Sequence, residues 1–235
     1  MAKKKSSGYM TAGERVAGVL FLFTYLCVLP FAAAPAFRLA ERLLGTGISQ
    51  GLRNMIYYYL LFAVTLAIFH RFLGRTTRLF ADRLGPACKT ILVGLVGLYG
   101  LNELAYRLTS LAVTPRVNLN DTAISTQIAD APRTTFLIVV VLAPFVEEVL
   151  FRGLVFGNLR EKSRVVAYLV SCLLFAALHV WQFALSGRDV TYLLLMVQYL
   201  VPGAVLCWAY EHSGTLWSAI GVHAVANGLS ALAML

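Results

Sequence analysis

Seven stretches of this chain are almost continuously apolar, and charged or polar connectors separate them. They run from Val16 to about Phe37, about Met55 to Phe72, about Thr90 to Leu108, about Thr134 to Phe156, Val165 to Leu185, Val190 to Tyr210, and Leu216 to Leu235. A helix of about 20 apolar residues spans the hydrocarbon core of a bilayer. The pattern therefore predicts an all-α fold, a polytopic transmembrane helix bundle of about seven spans. The third run is the weakest: Glu103 interrupts it, and Gly94, Gly97 and Gly100 lower its helix propensity.

Two connectors mix leucine and phenylalanine with arginine in a way that suits the headgroup layer, Arg38–Arg53 and Arg71–Lys89. A third, Val113–Arg133, is rich in Thr, Asn and Asp and reads as the longest exposed loop. The lysines at 3–5 followed by an apolar run, with Ala32, Ala34 and Ala36 in A-x-A spacing, resemble a signal peptide. The run is long for such a segment, so a retained first span is expected.

Composition agrees with the pattern. Of 235 residues, 59% are hydrophobic and 13% charged, about half the charged fraction of an ordinary soluble domain. Too few polar side chains remain to cover a water-facing surface. This excludes a soluble globular enzyme, a disordered chain and the usual kind of nucleic-acid-binding domain. The formal net charge of +9 then speaks to topology and lipid rather than to nucleic acid. Cys27, Cys88, Cys172 and Cys207 form no C-x-x-C pair and read as small buried hydrophobes.

The basic residues set an orientation. With the N-terminus inside, the inner segments hold Lys3, Lys4, Lys5, Arg15, Arg71, Arg75, Arg78, Arg83, Lys89, Arg160, Lys162 and Arg164, twelve in all. The outer segments hold seven: Arg38, Arg42, Arg53, Arg107, Arg116, Arg133 and Arg188. The excess predicts a cytoplasmic N-terminus.

Charges inside the spans carry the chemistry. An ionisable group there costs about 2.5–3.5 kcal/mol on insertion scales, and such groups are functional by default. The fourth run holds Glu147, Glu148 and Arg152 within six positions. Glu148 and Arg152 are four apart, share a helix face and can pair. Glu147 points about 100° away from its neighbour and has no such partner. A carboxylate in a partly dry site suits a general acid or base. The competing reading is an ion-pair cluster that locks helices together. The fifth run holds His179; the seventh holds His223 and Asn227, four apart on one face. These polar groups must face one another or a water-filled cavity. Carboxylate and imidazole around a water make hydrolysis plausible, and His and Asn donors can stabilise an oxyanion. Neither a G-x-S-x-G elbow nor H-E-x-x-H is present. Zinc held by two His and a Glu is a chemical alternative. A membrane scaffold and a proton-coupled transporter are the non-hydrolytic alternatives, although no inverted repeat favours transport.

Three of these groupings together resemble a known family. Glu147-Glu148-Val-Leu-Phe-Arg152 is similar to the E-E-x-x-x-R motif of the CPBP intramembrane proteases, also called the Abi or CAAX-protease family, which includes the Rce1-type prenyl-protein endopeptidases. Phe175-x-x-x-His179 is similar to their second motif and His223-Ala-Val-Ala-Asn227 to their third, in the same order. The resemblance implies an intramembrane endopeptidase in which Glu147 activates water and His179 helps hold it. His223 and Asn227 would stabilise the oxyanion, and Glu148 and Arg152 would support the site. It implies a catalytic core over 134–235, preceded by membrane helices over 1–133, and no cofactor, with zinc as the alternative. The expected partners are membrane lipids and a membrane protein or peptide substrate, lipidated or not. The expected setting is the bacterial inner membrane, with hydrolysis near the cytoplasmic face. The chain ends soon after the third motif, whereas Rce1-type enzymes resemble an eight-helix arrangement.

Overall fold

The computed structural model describes residues 10–110, 118–187, 193 and 195–235. The lysines at 3–5, Arg116, Arg188 and the expected start of a span at Val190 lie outside the described residues. Eight helices account for the fold. We label them α1 (Ala12–Leu44), α2 (Gln50–Asp82), α3 (Leu84–Ser110), α4 (Leu119–Asp130), α5 (Pro132–Leu159), α6 (Arg164–Gly187), α7 (Val197–Ser213) and α8 (Leu216–Leu232). No strand occurs among the described residues.

Five helices are long and apolar enough to cross a membrane: α1, α2, α3, α5 and α6 up to Leu185. The expectation of about seven spans is not met by that criterion. The last two expected spans correspond to helices of 17 residues each, about 25 Å long at 1.5 Å per residue, and α7 carries Gln198, Glu211 and His212.

Side-chain bonds between helix ends show which ends meet. At one end Glu14 of α1 accepts from the Phe72 backbone N–H of α2 at 2.6 Å, and Arg75 reaches the same carboxylate. There Thr76 contacts Thr215 before α8, Trp217 donates to Thr77, and Arg164 of α6 pairs with Glu211 of α7. At the other end Arg53 of α2 pairs with Glu41 of α1. Asn54 donates to Gln127 of α4, and Asn118 donates to Gln198 of α7. The longer helices thus alternate in direction along the chain, while both ends of the short α4 bond at this second end.

Helix α5 is central. Of its most apolar window 72% is buried, against 22% for α1 and 17% for α3. Phe69, Phe72, Leu150, Phe151 and Phe156 are sealed in the core around it. Gly153 permits the approach of α2: a Cβ there would lie 2.9 Å from the Phe72 ring. Exposed residues such as Val16, Leu20, Leu92 and Val96 cover the outside of α1 and α3, as expected for helices facing lipid.

Three local expectations change. The polar stretch 113–133 is not one long loop: α4 lies within it, capped by Asn118, whose side-chain oxygen accepts from Asn120 and Asp121 N–H. Its Ile128 is buried against Ile138 and Leu142. Residues 71–82 continue α2, and Phe72 and Leu73 pack inward rather than into the headgroup layer. A break at Phe69 (φ −104°, ψ 17°) redirects the helix there. Finally, Cys27 and Cys88 are exposed, while Cys172 and Cys207 are buried; all four are free thiols.

Candidate active site

The carboxylates sit where α5 is irregular. Ile138–Leu142 and Val149–Phe156 are π-helical and frame the α-helical segment Ala143–Glu148. Such wide turns cluster at functional sites because they leave backbone groups to be bonded from outside and re-aim side chains. Here neighbouring helices supply those bonds. Ser171 of α6 donates to the Phe151 carbonyl at 2.9 Å, and Asn227 of α8 donates to the Val139 carbonyl at 2.9 Å.

Glu148 and Arg152 make the expected i,i+4 pair at 2.9 Å, and both are completely buried. Arg152 also donates to the Gly203 carbonyl of α7 at 3.2 Å and lies 4.2 Å over the Phe175 ring. The Glu148 oxygen that holds Arg152 also accepts from His223 Nδ1 at 2.8 Å. One buried carboxylate therefore fixes both the arginine and the imidazole of α8.

Glu147 points the other way. Its Oε2 is buried and has no hydrogen-bond partner among the described residues. Two imidazole nitrogens face that oxygen, His179 Nε2 and His223 Nε2, each at 3.9 Å. Both rings are held by their other nitrogen. The Nδ1 of His179 lies 2.9 Å from the Phe175 carbonyl, which can only accept, so Nδ1 carries the proton. His223 Nδ1 donates to Glu148. Each ring, bonded through Nδ1, turns its Nε2 toward Glu147. The His179 ring also stacks on Tyr199, 4.5 Å between centroids. A separation of 3.9 Å is too long for a direct hydrogen bond and is the range that a bridging water spans.

Two adjoining cavities of about 400 and 470 Å³ meet at this point and share Asn54, Tyr57, Tyr58, Asn120, Glu147 and His179. His223 and Asn227 line the larger one. The structure thus brings Glu147, His179 and His223 to one point. Asn227 faces the same space with one amide hydrogen already given to Val139. Glu148 and Arg152 lie behind, shielded from the cavity. Sequence reasoning missed Tyr25, Tyr57, Tyr58 and Tyr199 as cavity residues. Tyrosine within an apolar run ordinarily reads as packing or interfacial anchoring, so only their helical clustering at 57–58 was a signal. Among the described residues no group of three His, Cys, Asp or Glu side chains is disposed to hold a metal ion.

Fold and site define a helical integral membrane protein with a buried Glu–His cluster at the floor of a polar cavity. Residues 130–229 match the family described as Type II CAAX prenyl endopeptidase Rce1-like. The matched segment holds all three sequence motifs, and the similarity supports a CAAX protease-type membrane hydrolase. No curated protein and no solved structure matches the chain.

Proposed function

We propose that this protein is an intramembrane endopeptidase that hydrolyses a peptide bond with a water activated by Glu147. The observation that carries the reading is the meeting of two oriented imidazoles on one unpartnered, buried carboxylate oxygen at the floor of a cavity.

The chemistry follows from the partners of each group. Glu147 takes a proton from water as its oxygen attacks the scissile carbonyl carbon, and later returns it to the leaving amine. His179, fixed by the Phe175 carbonyl, accepts a hydrogen bond from that water through Nε2. The tetrahedral intermediate carries an oxyanion, and Asn227 has a second amide hydrogen to give it. His223 donates through Nε2 when it is an imidazolium, and the Glu148 carboxylate then stands directly behind it. This is the arrangement by which a buried acid orients and supports a catalytic histidine. Arg152 holds the Glu148 carboxylate in place. In this reading 134–235 is the catalytic core, and the helices of 1–133 complete the cavity with Tyr25, Tyr57 and Tyr58.

The test is Glu147→Gln beside wild type, with His179→Ala and His223→Ala, in purified protein reconstituted in lipid. Cleavage is expected to fall by about 10²–10⁴-fold in each, the range for loss of a positioned acid–base group. Retained cleavage by correctly inserted variants would overturn the mechanism. Metal analysis and chelator treatment address the zinc alternative: activity lost to chelator and restored by zinc would replace the water-only route.

A further inference from the structure

The cavities have a direction, and it can be read against the charge distribution. Their walls come from the second half of α1, the first turns of α2, the second half of α3, α4, the first half of α5, the later turns of α6, the first half of α7 and the last turns of α8. No residue of 59–97, 148–174 or 207–222 lines either cavity. Every wall residue therefore lies between Glu147 and the end of the bundle where Arg53 meets Glu41 and Asn54 meets Gln127. Polar side chains such as Gln50, Asn54, Asn120 and Gln182 mark that path. Toward the opposite end the bundle is plugged by Phe69, Phe72, Leu150, Phe151, Phe156 and Leu216, each less than 2% exposed.

The plugged end carries the larger basic set. Arg15 follows the Glu14 contact with Phe72, Arg75 shares that contact, and Arg164 pairs there with Glu211. Arg71, Arg78, Arg83, Lys89, Arg160 and Lys162 flank the same connections in sequence. The open end holds the smaller set, with Arg38, Arg42 and Arg53 near the α1–α2 turn and Arg133 at the start of α5. Basic excess marks the cytoplasmic side.

We infer that the Glu147 cavity opens on the extracytoplasmic side of the membrane, and that its substrate is a peptide segment presented from that side. The inference rests on the hydrolytic reading above for the word substrate, and on charge and cavity geometry for the side. It reverses the expectation of cleavage near the cytoplasmic face. The fitting substrate class is the extracytoplasmic or outer-leaflet segment of a membrane or exported protein. A protein prenylated in the cytoplasm is on the wrong side of the aromatic plug.

The side is tested without activity. Asn120→Cys and Gln182→Cys report the open end and Lys162→Cys the plugged end, each in a Cys27→Ser, Cys88→Ser background that keeps the two buried thiols. A charged, membrane-impermeant maleimide is applied to right-side-out and to inverted membrane vesicles. Asn120→Cys and Gln182→Cys are expected to label in right-side-out vesicles and not in inverted ones, and Lys162→Cys the reverse. Labelling of the cavity positions from the cytoplasmic face, or equally from both faces, overturns the inference. Gln182 is exposed, so its variant reports even if Asn120→Cys fails to fold. The hydrolytic reading is judged separately by Glu147→Gln: its failure leaves the labelling pattern unchanged, and a reversed pattern leaves hydrolysis intact.

Discussion

The bundle has two unlike halves that meet at Glu147 and Glu148. On one side the helices converge on an aromatic and aliphatic plug with Phe72, Phe151 and Phe156 at its centre. On the other they part around two cavities walled by tyrosine, asparagine and glutamine. The two adjacent glutamates divide accordingly. Glu148 is bound by Arg152 and His223 within the packed side, and Glu147 faces the open side. The difference teaches that a charge inside a membrane protein acquires its role from its partners. In the proposed mechanism the paired carboxylate is structural support, and the unpaired one beside water-sized space is the reagent.

The largest effect is expected where the packed half loses one member of its ion pair. Arg152→Met leaves the Glu148 carboxylate uncompensated in a dry site, a change that costs about 3–5 kcal/mol. Thermal unfolding in detergent is expected to show it, and Glu148→Gln with Arg152→Met together is expected to recover part of the loss. A full-stability Arg152→Met would mean that the two halves do not differ as described.

A smaller effect tests the close contacts that hold the plug together. Gly18 faces Phe69, and a Cβ there would come within 2.7 Å of its ring; at Gly94 a Cβ would come within 2.7 Å of Val222. Gly18→Val and Gly94→Val are expected to destabilise by about 1–3 kcal/mol, as overpacking does. Gly97 and Gly100 of the same helix meet nothing within 4 Å. Gly97→Ala and Gly100→Ala are expected to stabilise slightly, by about 0.5–1 kcal/mol from helix propensity alone. Unfolding midpoints of the four variants check both signs at once.

On the open half, Tyr57→Phe and Asn120→Ala are expected to keep the fold and to change substrate dependence more than maximal rate, because both residues line the cavities without belonging to the proposed Glu–His cluster. Steady-state kinetics separates that outcome from a general loss of activity.

Much of the site was legible because its residues violate the surrounding composition. Glu147, Glu148, Arg152, His179, His223 and Asn227 stand out in apolar runs, and helical spacing alone pairs Glu148 with Arg152. The bond from His223 to Glu148 was not legible, since it joins helices 75 residues apart in sequence. Helix α4 was hidden because its polar composition reads as loop, although Asn118 supplies an N-cap. The π-helical turns of α5 leave no mark in an apolar run. The direction of the cavity is likewise absent from any single helix, because it arises from which ends of the eight helices part.

The central claim is that the buried, unpartnered oxygen of Glu147 drives hydrolysis. Comparative peptidomics of membrane and extracellular fractions, from cells carrying wild type or Glu147→Gln at equal membrane abundance, tests it most directly. The account predicts a defined set of peptides lost in the variant, with their uncleaved precursors accumulating in the membrane. Identical peptide sets, with Glu147→Gln normally inserted, would contradict it.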